Sequence, residues 1–210
     1  MIFTDIVRKV GRQFGDTDNV VIGTSGTITN DFYDWINEGQ LIIAKKTECL
    51  VTSLVQAAST FPVTFPVDCI RTARVIYGTV PLERIDIEDL DAKAVDLTAR
   101  LSNPQFFYDR LRKLNLYPLQ NASDATSVTW DYVAAPTAID NTTQTLSIPA
   151  IYHDELYRFC LSRAYERNEN RIAAMDTMTD FKERMGDAAE NEYTKDDGYP
   201  IRRDDPWEDW

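Results

Sequence analysis

The stretch 147–170 constrains the fold most, because capping, apolar spacing and charge order agree within it. Ser147 offers an N-cap hydroxyl, and Pro149 fits a first helical turn, where a missing backbone N–H costs nothing. Polar side chains are expected on the solvent side, at Asp154, Arg158 and Ser162. The stretch therefore predicts a core helix over residues 150–167. Its apolar and small side chains recur at helical spacing and share one face: Tyr152, Leu156, Phe159, Cys160 and Ala164.

A second long amphipathic helix is predicted over residues 171–193 and should form an αα-hairpin with the first. We interpret its methionines as core residues, with an adaptable binding surface as the alternative. Residues 2–14 and 29–46 also show helical spacing, which gives a bundle of about four helices. The predicted apolar positions of the second helix are Ile172, Met175, Met178, Phe181, Met185 and Ala188.

The middle of the chain, residues 48–133, favours β-structure because it is rich in Val, Ile, Thr and Phe and is interrupted by proline and glycine. Short links between the segments predict an antiparallel β-meander, with an acidic helix over residues 85–97 inserted in it. The fold class is therefore α+β. The predicted strands are 49–56, 63–65, 70–77, 106–108, 113–117 and 128–133.

Charge and cysteine content limit the function classes. The net charge is −12, so the chain as a whole is repelled by phosphate backbones and is not expected to wrap DNA or RNA stably. Cys49, Cys69 and Cys160 form no CxxC motif and are interpreted as reduced thiols of a cytosolic compartment. The sequence contains no long apolar run, so we expect the protein to be neither secreted nor membrane-spanning.

The candidate catalytic features are weak. His153 is the single histidine, and its neighbours Asp154 and Glu155 point in other directions on a helix, whereas a zinc site needs three or four converging ligands. The GTSG within the predicted loop 15–27 lacks the lysine of a phosphate-binding loop. The carboxylates of residues 86–91 lack the pattern of an EF-hand. We therefore expect no catalytic residue, no metal and no cofactor.

The C-terminal residues 195–210 have the composition of an extended docking arm rather than of a core. They contain six acidic and three basic residues, and Pro200 and Pro206 prevent a long helix. We predict that the arm is mobile in the free subunit and ordered on a partner, outside an adaptor domain of residues 1–194. Large apolar groups and two arginines are its candidate partner-binding residues: Tyr199, Ile201, Arg202, Arg203, Trp207 and Trp210.

The order of these segments resembles the head-to-tail adaptor, or neck connector, proteins of tailed bacteriophages, including the tail tubular protein A type. The likeness covers residues 29–193. The acidic stretch 86–91 belongs to the resemblance. So do several short groups of residues: Asp31, Phe32, Ile36, Asn37 and Glu38; Phe65 to Ile70; Val75, Ile76 and Tyr77; Pro81, Leu82 and Glu83; Ile148, Pro149, Tyr152 and His153; Ala164 and Tyr165.

The resemblance implies a virion protein, assembled in the host cytoplasm, that forms a dodecameric ring between the portal and the tail or nozzle proteins. It implies that DNA passes through the lumen without specific binding and that the protein has no enzymatic activity. Two alternatives remain at this point. One is another phage tail-completion or stopper protein, and the other is a metal-dependent hydrolase that uses His153 with Asp154 and the carboxylates of residues 86–91.

Overall fold

A computed structural model describes residues 3–13, 26–92, 103–118, 120 and 123–193. Its helices and strands confirm the α+β class. The predicted loop 15–27 lies outside the described residues except for its last two positions, which belong to α2. The described α-helices are α1 (Phe3–Gln13), α2 (Gly26–Thr47), α3 (Ile87–Ala92), α4 (His153–Arg167) and α5 (Arg171–Tyr193).

Two four-stranded sheets form the β-structure of the described chain. The first has the order β1-β8-β3-β4, so that β1 pairs with β8, the last strand, in register from Val51 opposite Val133 to Ala57 opposite Ser127. The second has the order β2-β7-β6-β5, and its β5–β6 pair is parallel. The strands are β1 (Val51–Ala57), β2 (Val63–Thr64), β3 (Cys69–Tyr77), β4 (Val80–Pro81), β5 (Glu83–Arg84), β6 (Phe106–Arg110), β7 (Lys113–Tyr117) and β8 (Ser127–Ala134).

The chain divides into two compact units. The helical unit draws on both ends of the sequence, Met1–Leu50 and Ala135–Trp210, and the β unit is the continuous segment Val51–Ala134. The acidic helix predicted over residues 85–97 belongs to the β unit, where α3 covers residues 87–92 of it and residues 93–102 lie outside the described chain.

In the helical unit, α4 packs against α1, α2 and α5. All five positions of its predicted apolar face are buried, which confirms the prediction. The approach to α2 is close at Gly39, where a Cβ atom would lie 2.5 Å from Leu156 Cδ1 and 2.8 Å from Phe159 Cδ1. A glycine is therefore needed at this helix crossing, because any larger residue would have to displace buried side chains.

The predicted start of the core helix is wrong in one respect. Ser147 is not an N-cap: its Oγ accepts a hydrogen bond from the backbone N–H of Thr137 (3.1 Å), and its own N–H donates to Gln40 Oε1 (2.8 Å). The chain instead enters the helix through a 3₁₀ turn, Ala150–Tyr152, and no side chain caps α4. Ser147 thus connects a loop to α2 by hydrogen bonds and does not cap the start of a helix.

Ser162 and α5 also depart from the predicted pattern. Ser162 is buried and donates a hydrogen bond to the carbonyl oxygen of Ala174 on α5 (2.9 Å), so α5 covers part of the face expected to be polar. On α5 itself, Phe181 and Met185 are buried as predicted. Ile172 and Met175 are not core residues, because they are 77% and 71% exposed.

The core of the β unit is centred on Trp130 of β8. Its ring is fully buried, and the ring centroids of Phe65 and Tyr132 lie 5.0 and 5.6 Å away. The next residue, Asp131, points to the opposite side of the strand, where it accepts hydrogen bonds from Ser53 Oγ (2.6 Å) and from Arg74 Nη2 (2.8 Å). The alternation along β8 therefore buries an aromatic side chain on one face and satisfies a buried carboxylate on the other.

Candidate functional site

The predicted partner-binding residues cannot be placed in the structure. Tyr199, Ile201, Arg202, Arg203, Trp207 and Trp210 all lie outside the described residues. The candidate sites that the structure does describe are the surroundings of His153, the acidic stretch of α3, the buried thiols and two exposed surfaces.

His153 is a structural residue in its described environment. It is buried, and its Nε2–H donates to the carbonyl oxygen of Ile148 (3.2 Å). Burial lowers the pKa of the imidazole, which favours the neutral form. Its neighbour Asp154 is exposed and pairs with Lys9 of α1, which lowers the pKa of the carboxyl. The two side chains therefore serve different contacts and do not form an acid–base pair.

The acidic stretch at the start of α3 borders a shallow cleft of about 300 Å³ that Asp86, Glu88 and Asp109 line together with Arg84. Burial raises the pKa of Asp109, although Arg84 Nη2 lies 3.5 Å from its Oδ2 and opposes that shift. Within the described ranges, no group of three or more His, Cys, Asp or Glu residues could hold a metal ion. The cleft is thus an acidic surface in which Arg84 partly offsets the charge of one carboxylate, Asp109.

The buried cysteines are poor nucleophiles. Burial, together with the nearby carboxylates Asp109 and Asp68, raises the pKa of Cys69 to about 11. Burial also raises the pKa of Cys160. Since the thiolate is the reactive form, both groups are protonated and unreactive near neutral pH.

The turn between β6 and β7 is the first exposed surface. Leu111 is 87% exposed, and Val67, in the turn before β3, is completely exposed. The backbone N–H of Phe65 donates to the carbonyl oxygen of Arg112 (2.9 Å), which holds the segment leading to Val67 beside this turn. We call the following set the basic hairpin tip, because its three charged members are exposed and basic: Val67, Arg110, Leu111, Arg112 and Lys113.

The solvent side of α5 is the second exposed surface. Ile172 and Met175 are three residues apart and share one side of the helix. Asp176 and Glu183, four and eleven residues after Ile172, lie on the same side. We call the following exposed set the acidic α5 face: Ile172, Met175, Asp176, Thr179 and Glu183. Sequence reasoning missed the basic hairpin tip, although the basic run in DRLRK is visible in the sequence, and it gave a binding surface of the α5 methionines only as the alternative.

No helix in the described part of the chain is both long enough and apolar enough to cross a membrane. The part of the chain that the structure describes offers surfaces for protein contacts, because eight of its large apolar side chains are exposed. They are Val51, Val55, Val67, Val80, Leu111, Ile151, Ile172 and Met175.

Comparison with known proteins identifies the family. The model of the SU10 adaptor protein family matches residues 1–204. No curated protein is similar enough to count as a match. The family match confirms the resemblance to phage adaptor proteins and makes the protein a structural component of the virion. The chain belongs to the SU10 adaptor protein family.

Proposed function

We propose that the protein forms a ring that joins the portal of the phage head to the tail and acts there as a structural part without catalytic activity. The match to an adaptor family over residues 1–204 carries this proposal. The chemistry of the described residues supports it, because His153 is held in the core and the buried thiols are protonated. Exposed apolar side chains on both units suit a protein that is covered by neighbours after assembly.

The proposed ring is a dodecamer whose lumen belongs to the DNA channel. A net charge of −12 suits a channel component, because like charges favour passage of DNA over adhesion to the wall. The partners on the two sides are the portal protein and the tail or nozzle proteins.

The direct test is electron microscopy of the purified chain mixed with portal rings of the same phage. A coaxial ring of added density at one end of the portal is the expected result. Portal rings that show no added density, although the chain is folded, would contradict the proposed position next to the portal.

We expect no measurable affinity of the assembled protein for double-stranded DNA at physiological salt. Stable binding requires a stripe of basic groups that neutralises phosphates, and the chain has 34 acidic against 22 basic residues. A filter-binding or gel-shift titration checks this. A complex that forms at micromolar protein and weakens steeply with added salt would contradict a passive channel.

We further propose that residues 195–210 act as a docking arm for the portal or for a neighbouring subunit. The support is compositional: Trp207, Trp210 and Tyr199 are favoured interface anchors in a segment too polar and too rich in proline to form its own core. A chain that ends at Asp196 should keep the melting temperature of the monomer and lose attachment to its partner. Undiminished attachment, or a markedly lower melting temperature, would show that the arm has another role.

A further inference from the structure

The basic hairpin tip has an unusual turn for its sequence. Leu111 and Arg112 occupy the two positions between β6 and β7 with φ angles of 51° and 57°. Two-residue hairpin turns of this kind favour Asn-Gly, because a positive φ brings a Cβ atom too close to the backbone. The chain therefore keeps a strained turn, and with it a leucine and an arginine that are exposed to solvent.

The tip also differs in charge from the rest of the chain. Arg110, Arg112 and Lys113 give it three positive groups within four residues, whereas the whole chain is at −12. Leu111 and Val67 add exposed apolar area beside these charges. A surface of this kind fits a protein partner that presents apolar side chains flanked by carboxylates, because both the apolar and the charged parts are then matched.

The acidic α5 face has that complementary chemistry. Ile172 and Met175 are its apolar part, and Asp176 and Glu183 lie on the same side of the helix. Methionine is an adaptable contact residue, which suits an exposed binding position. The helical unit also carries most of the negative charge of the chain, with 24 of the 34 acidic residues.

We propose that the basic hairpin tip of one copy docks on the acidic α5 face of a neighbouring copy of this chain. The two surfaces are different, so the contact is heterologous, and a contact of that type can repeat around a closed ring. This inference rests on the proposed ring and names the surfaces that hold it together.

The first experiment replaces the turn by its preferred sequence, L111N/R112G. The variant removes the strain and should raise the melting temperature. It also removes two of the five docking side chains and should weaken self-association at least about tenfold, as measured by sedimentation velocity. A variant that is more stable and assembles like the wild type would overturn the inference.

The second experiment reverses charge on each side. Arg112→Glu with Lys113→Glu, and separately Asp176→Lys with Glu183→Lys, should each weaken association about tenfold or more, and all four changes together should restore much of it. Lys45→Glu, at an exposed lysine on α2, is the control for a charge reversal outside both surfaces and should assemble normally. Circular dichroism confirms that each variant is folded.

The outcomes separate this contact from the ring itself. A wild-type chain that associates neither with itself nor with portal rings would overturn both proposals. Wild-type assembly that is indifferent to both sets of charge reversals would overturn only the docking of tip on α5. If the wild type did bind duplex DNA and the tip variants lost that binding with assembly intact, the tip would instead be assigned to nucleic acid, which would likewise overturn the contact.

Discussion

Leu156→Asp is expected to abolish the soluble folded protein. Leu156 has no solvent exposure, and its Cδ1 lies where α2 and α4 approach each other at Gly39. A carboxylate at this position must lose its hydration without a partner, which costs several kcal/mol, and total stabilities of domains are only about 5–15 kcal/mol. Soluble yield and circular dichroism of the purified protein measure the effect.

Ile172→Asp is the matched control, because Ile172 belongs to the same predicted apolar pattern of the αα-hairpin yet is 77% exposed on α5. The same chemical change should leave the melting temperature of the monomer nearly unchanged, since substitutions at exposed sites are usually within about 0.5 kcal/mol. Equal tolerance of both changes would contradict the described packing of α4.

Trp130→Ala should destabilise the β unit by about 3–5 kcal/mol, the usual cost of removing a large buried aromatic side chain. Trp130 is fully buried on the central strand β8, between β1 and β3, and contacts the rings of Phe65 and Tyr132. Urea unfolding followed by circular dichroism gives the free energy of unfolding. Val55→Ala on the neighbouring strand β1 removes an exposed side chain and should cost far less. A loss below about 1 kcal/mol in Trp130→Ala would show that this core is misplaced.

Helical periodicity predicted the helical unit well because it reports which side chains share a face. Within the described residues, α5 spans the predicted 171–193, α1 spans 3–13 of the predicted 2–14, and α2 extends the predicted 29–46 to Gly26–Thr47. Periodicity does not report what covers a face. For this reason the pattern predicted neither the burial of the polar Ser162 under α5 nor the exposure of the apolar Ile172.

The sequence pattern could not predict which strands pair, for a related reason. Alternation and β-propensity located the segments of β1 and β8, but these strands are about 75 residues apart and pair through backbone hydrogen bonds that carry no residue signature. The Leu111-Arg112 turn was missed because it contains neither the asparagine nor the glycine that marks such turns. The extent of the exposed surfaces therefore required the structure, whereas the family resemblance rested on the order of segments and on short groups of residues within them.

The position of the protein in the virion tests the central claim most directly. A cryo-electron microscopy reconstruction of the head–tail junction should show a ring of copies of this chain directly below the portal, each fitting the helical unit and the β unit, around a lumen wide enough for duplex DNA. Density for the chain in the capsid shell or at the distal end of the tail, with none between portal and tail, would contradict the account.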